Sequence, residues 1–406
     1  MAETEDERKP LLEEGKQEKQ DDEAFDSMNY DARKLVTFSV FLNFAGTVWL
    51  KPSLWKMMGV LMCIAASVSL SVALLVKEPA KLDVAKFSQV STFLEVVVGL
   101  LLGFFLSSSV QRWYDCTNGF LELFDAIRTL HMQLNAFGVP KQRLQMCLRY
   151  CVVSAFCLDD DLIASAMEPQ ERSEFLASRW ANHTEEDENA ALAGWTDETK
   201  SLGKLLPSEQ RVLAQIEDPA QTLWVWVTSL LTRLSADGQV PGMATPTYGR
   251  IIQIAEQAYG GIRSVRASIR VQPPYVHVQM MAALVLVNNI INAINVGVTS
   301  GVTVSICFAR LHSTAAHHVG AETVSHSLQD LAVAVILSTV GPFLYQALLE
   351  VAVCIAQPFS NASDEKAAGR IPTRKLLRNL EKDLRDIEFM SSHLPWWQQP
   401  YFKLPA

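Results

Sequence analysis

The sequence predicts an all-α membrane protein with four transmembrane helices per subunit and a large helical cytosolic layer. Three observations carry this. Apolar residues make up 49% of the chain and charged residues only 19%, which is the composition of a membrane protein. The apolar residues gather in a few long runs, each long enough for the roughly 20 residues that a bilayer-spanning helix needs. Between the second and third runs, from Tyr114 to Pro274, the apolar residues instead recur with the spacing of amphipathic helices, broken at Pro, Gly and Asp.

Charge and motifs exclude other classes. The formal net charge of −9 comes largely from the N-terminal tail and from acidic loops near Asp159 and Glu185, so no basic patch invites nucleic acid. There is no P-loop, GxSxG, HExxH or Rossmann glycine pattern, and an enzyme is not expected. The seven cysteines form no disulfide framework: Cys63, Cys307 and Cys354 fall in apolar runs, and Cys116, Cys147, Cys151 and Cys157 in a segment read as cytosolic, where thiols stay reduced. Cys147 and Cys151 share a helix face, but without CxxC or a nearby histidine they read as packing residues.

In chain order, residues 1–30 form an acidic tail with few large apolar side chains, and disorder is expected. The tail has no apolar core of a secretory signal, while Glu7 to Leu12, ERKPLL, resembles an acidic dileucine sorting signal. Residues 31–114 hold an N-terminal helix and the first two spans. Trp49, Lys51, Trp55 and Lys56 stand as interface anchors before Met57 to Val76. The connection from Lys77 to Lys86 is short, so the second span turns straight back. That span runs from Phe87 to Val110 and stops at Gln111, Arg112 and Trp113. Within it Val96, Leu100 and Phe104 recur every four residues and form one stripe, continued by Ser107 and Gln111, which must face lipid, protein or a pore.

Residues 115–272 read as the cytosolic helical region, with a variable insertion at about 167–206. Residues 273–357 hold the third and fourth spans, Tyr275 to about Phe308 and about Leu328 to Ala356. Pro273 and Pro274 precede the third, where a missing N–H costs nothing. Residues 358–406 form a charged tail, helical from about Leu376 to Phe389, with an aromatic end.

Basic residues set the orientation. Lys51, Lys56, Arg112, Arg128, Arg263, Arg266, Arg270, Lys366, Arg370, Arg374 and Lys375 fall on one side; Lys77, Lys81, Lys86 and Arg310 fall on the other. Both termini are therefore expected in the cytosol, in the plasma membrane or an endolysosomal membrane. The sequons at Asn182 and Asn361 are then kept from the glycosylation machinery.

Several polar residues are candidates for function. Asn288, Asn292, Asn295 and Thr299 share one face of the third span, where interhelical hydrogen bonds or a vestibule would use them. Glu95 and Glu350 are carboxyl groups within spans. Glu350, near the cytosolic end, is expected to pair with a base there; Glu95 is a candidate for an ion or proton pathway. His312, His317, His318 and His326 read as a solvated outer loop, and Asp159 to Asp161 as surface or helix-capping residues.

The block GFFLSSSVQRWYD, Gly103 to Asp115, resembles the second membrane helix of bestrophins, the pentameric anion channels. Ala32-Arg33 with Trp49 and Leu54-Trp55-Lys56 is similar to the family's approach to its first span. Asp218 to Pro241, DPAQTLWVWVTSLLTRLSADGQVP, is similar to its tryptophan-rich helix and Gly-x-Val turn. VQPPYVHVQ, Val271 to Gln279, resembles its entry into the third span, and Gln357-Pro358-Phe359 its Asn-Pro-Phe. The resemblance implies a bestrophin-like homopentamer in a lipid bilayer, passing chloride and other small monovalent anions through a central pore. Val96, Leu100 and Phe104 would form its hydrophobic neck and Val240 its cytosolic aperture. The family's calcium clasp is reduced here to SNASDE, with Ala362 in one liganding position and only Asp364 and Glu365 carrying charge, few ligands for a hard cation. The family's proline in the neck is Val97 here. Glu95, about 100° around the helix from Val96, is expected to point toward the third span and away from the pore. The rival readings are a non-conducting scaffold or regulator of another transporter, and a proton-coupled transporter using Glu95.

Overall fold

The computed structural model describes residues 48–76, 84–165, 167–178, 202, 205–240, 245–271, 273–312, 321–356, 358–359 and 371–393. The acidic tail, both sequons, His317, His318, Asp364, Glu365 and the aromatic C-terminus lie outside them. Ten α-helices and no strand occur among the described residues: α1 Pro52–Leu75, α2 Val84–Ala136, α3 Lys141–Ser165, α4 Pro169–Ser178, α5 Pro207–Leu213, α6 Pro219–Ala236, α7 Thr245–Arg270, α8 Tyr275–His312, α9 Ala321–Ala356 and α10 Thr373–Ser392. Four of them, α1, α2, α8 and α9, are long and apolar enough to cross a membrane. The predicted all-α membrane fold with four spans is thus the observed one.

The chain divides into two compact units. One comprises residues 31–111 and 272–356, the other 1–30, 112–271 and 357–406. Helix α2 contributes to both. The sequence places the end of the second span at Gln111 to Trp113, and there the apolar run does end, but the helix continues to Ala136. No proline or glycine interrupts the backbone at that point, and the following residues, LELFDAIRTLHMQL, have helical periodicity of their own, so nothing stops the hydrogen-bond ladder.

In the membrane unit, α1 packs most extensively on α8, and α8 on α9. The close approach of α1 and α8 depends on two glycines one turn apart. A Cβ at Gly297 would lie 2.6 Å from the Val68 Cβ and 2.7 Å from the Ala65 carbonyl oxygen; at Gly301 it would lie 2.8 Å from both the Ser69 carbonyl oxygen and the Val72 Cβ. This is the small-xxx-small arrangement by which membrane helices bring their backbones together. Pro342 sits inside α9; proline within a helix is more readily tolerated in a membrane than in water.

In the other unit the core gathers Phe120, Leu123, Phe124, Ile127 and Leu130 of α2 with Cys147, Leu148 and Cys151 of α3, Leu223 and Trp224 of α6, Ile262 and Val265 of α7, and Leu377 and Leu380 of α10. Asp218 caps α6, accepting from the Gln221 N–H at 3.1 Å, and Pro219 follows at the first helical position. Gly119 and Gly261 set the crossing of α2 and α7, since a Cβ on Gly261 would stand 2.7 Å from the Gly119 carbonyl oxygen.

One expectation is corrected here. Asp159 to Asp161 are not surface or capping residues. Asp159 is fully buried and lies 2.8 Å from the Arg374 Nε, Asp160 accepts from Arg374 at 2.6 Å, and Asp161 from Arg266 at 2.8 Å. Successive carboxylates on a helix fan out by about 100° each, so three neighbours reach two different helices, α10 and α7. Val240 is 6% exposed and belongs to the core of this unit. Cys147 and Cys151 are fully buried in the same core, and burial pushes the Cys151 thiol well above its ordinary value, as suits packing residues.

Candidate functional site

The site builds from α2. Along its outer face Val90, Phe93, Val96, Leu100 and Phe104 are exposed, Val96 by 68%, Leu100 by 61% and Phe104 by 65%. Ser107, Ser108 and Gln111 continue the exposed side, so an apolar stripe about four turns long passes into hydroxyl and amide groups. The opposite face is buried: Leu102 and Phe105 pack with Met281 of α8 and Ala352 of α9, flanked by Tyr345 and Leu349. The helix is therefore held by one face and offers the other. It runs through Val97 without interruption.

Glu95 lies on the side of α2 that turns toward α8 and α9. The Asn292 Nδ2 donates to its Oε1 at 3.1 Å, the Ser91 hydroxyl donates to the Asn292 Oδ1, and the Tyr345 hydroxyl donates to the Glu95 carbonyl oxygen at 3.2 Å. Glu95 thus points toward the third span. Of the asparagines on that span, Asn288 and Asn292 are buried and Asn295 is half-buried; Thr299 donates to the Asn295 carbonyl oxygen at 2.9 Å.

Glu350 departs from expectation. Its carboxylate accepts from the Ser53 hydroxyl, at 2.9 and 2.8 Å to the two oxygens, where a basic partner was expected. The nearby candidate base, Lys51, donates instead to the Cys354 Sγ. Ser53 sits in the first turn of α1, close enough for a short hydroxyl to replace a long cation. Trp49 stacks on Phe343 with ring centroids 4.6 Å apart, and the Trp55 indole donates to the Trp49 carbonyl oxygen at 2.7 Å. His326 is exposed on α9, and no cluster of His, Cys, Asp and Glu suited to a metal occurs among the described residues.

Sequence reasoning missed Asn289, which is fully buried, along with Ser91, Tyr345 and the Gly297/Gly301 pair. The glycines were visible as GVTSG, a GxxxG pattern in an apolar helix. Ser91 stands one turn before Glu95. Nothing in the sequence pointed to Tyr345.

An α-helical protein with four spans long and apolar enough to cross a bilayer falls in the class of multi-pass membrane proteins. A family model described as Bacterial/Fungal Bestrophin protein matches residues 29–268, more than half of the 406 residues. The chain belongs to the bestrophin family. Among solved structures it is similar to a bacterial bestrophin homologue from Klebsiella pneumoniae, with 15% identity and a TM-score of 0.56 over 84% of this chain and 99% of that one. A leucine-to-threonine variant of that homologue gives 14% identity and a TM-score of 0.58, over 83% and 99%. A crystal structure described only as a membrane protein gives 13% and 0.57, over 84% and 100%. At such identities these likenesses establish the fold. No curated protein sequence matches.

Proposed function

We propose that this chain is a subunit of a homopentameric channel that passes chloride and other small monovalent anions passively. The observation that carries the reading, beside family membership, is the exposed stripe Val96, Leu100 and Phe104 on a helix whose other face is packed. Five copies around an axis would form stacked apolar rings. A narrow apolar ring excludes water and blocks ions, and a wider one admits them. Below the rings, Ser107, Ser108 and Gln111 would offer neutral hydrogen-bond donors, which suit an anion better than carboxylates would. Glu95 turns away from the stripe, which removes the repulsion that a ring of carboxylates would exert on a permeating anion. Both termini are placed in the cytosol on the distribution of Lys and Arg.

The test is current through purified full-length protein in planar bilayers. Anion-selective currents are expected, and Phe104→Ala and Leu100→Ala should change conductance or gating several-fold. Reversal potentials that do not follow the chloride gradient, or stripe variants indistinguishable from the wild type, would reject the assignment. A glycan on Asn182 or Asn361 would reverse the orientation.

A further inference from the structure

The membrane unit buries more polar groups than its protein partners satisfy. Asn288 and Asn289 are both fully buried, and neither the oxygen nor the nitrogen of either carboxamide has a hydrogen-bond partner among the described residues; the Asn295 Oδ1 is in the same position. A buried amide without a partner is costly, so four such atoms in adjacent residues point to a ligand. On α8, Asn289 precedes Asn292 by three residues and Asn288 by four, which puts all three on neighbouring lines of the helix, and Asn292 donates directly to Glu95 at 3.1 Å.

Glu95 has no basic partner among the described residues. The described groups beside it are neutral: the Asn292 amide, the Tyr345 hydroxyl and Gly341, whose Cβ position would be 4.0 Å from the Oε1. The Asn292 Nδ2 faces it as a donor, and the Asn292 Oδ1 accepts from the Ser91 hydroxyl. An acidic side chain within a membrane unit normally has a partner. Carboxamide, hydroxyl and carboxylate oxygens are the ligands of hard cations.

We infer that Glu95, Ser91 and the asparagines Asn288, Asn289 and Asn292 form a binding site for a dehydrated monovalent alkali cation, which neutralises Glu95 and occupies the carboxamide oxygens where α2, α8 and α9 meet. The site lies off the exposed stripe and has a structural role that does not depend on conduction. A bound cation would tie α2 to α8.

The experiment is thermal unfolding of the purified full-length protein in detergent, at fixed pH and ionic strength, as N-methyl-glucamine chloride is replaced by sodium or potassium chloride. A saturable rise in Tm of roughly 3–5 °C with one alkali cation is expected, absent in Glu95→Gln and reduced in Asn289→Leu. Glu95→Gln keeps the size and the acceptor for Asn292, so it should fold. Should it not, Asn288→Leu and Asn289→Leu, which lose only unpartnered amides, should fold with higher Tm in N-methyl-glucamine and show a weakened cation response. An equal response to every salt, a response that survives in Glu95→Gln, or stability that follows pH alone without regard to the cation would overturn the proposal. Because the readout is stability, its failure leaves the channel assignment standing, and absent anion currents leave the cation site standing.

Discussion

Tyr150 on α3 shows how one side chain records its surroundings. Its hydroxyl donates to Glu209, and burial first, then that hydrogen bond, pushes the phenol up from 10 to about 12. The folded state therefore holds the proton more tightly than the unfolded chain, so the neutral phenol contributes stability below pH 10 that is lost as pH rises toward 12. Tyr150→Phe should lose less stability than the wild type between those values, measured by chemical unfolding at stepped alkaline pH. Asp159 carries a heavier penalty. Fully buried against Arg374, it should cost about 3 kcal/mol when replaced by alanine, because Arg374 is left without that charge; limited proteolysis should then release α10 first. Such roles were half visible in the sequence. The acidic triplet was plain, but its distant partners, Arg374 and Arg266, stand in helices that only the fold brings near.

Helices tell a similar story at the next scale. The four spans were legible because a continuous apolar run has few alternatives in a bilayer, where every backbone group must be paired within the segment. Where each helix ends was less legible. Helix α2 outruns its apolar segment because polarity ends a membrane span without ending a helix. The pairing of α1 with α8 rests on Gly297 and Gly301, and replacing either by leucine should force the two helices apart, at a cost of about 1–3 kcal/mol, read as a lower Tm and reduced yield of folded protein in detergent. Alanine should show a weaker effect in the same direction. On α2 the identity of the exposed stripe was legible as a four-residue repeat, whereas its exposure followed only once Leu102 and Phe105 were seen to occupy the other face.

For the molecule as a whole, the proposed rings require several copies of the chain. Particle images of the purified protein should show fivefold symmetry, and any other symmetry would remove the rings as drawn. The chain by itself determined its class: a long apolar run, a basic flank and an amphipathic stretch each follow from local composition, and these were enough to place four helices in a membrane. Tertiary structure alone decided which polar groups face each other. It gave Glu350 a serine in place of a base, set Tyr345 against Glu95, and put Val240 in a core. These outcomes depend on contacts between residues up to 297 positions apart, and the energy of a buried polar group is set by such partners, which no local window of sequence contains.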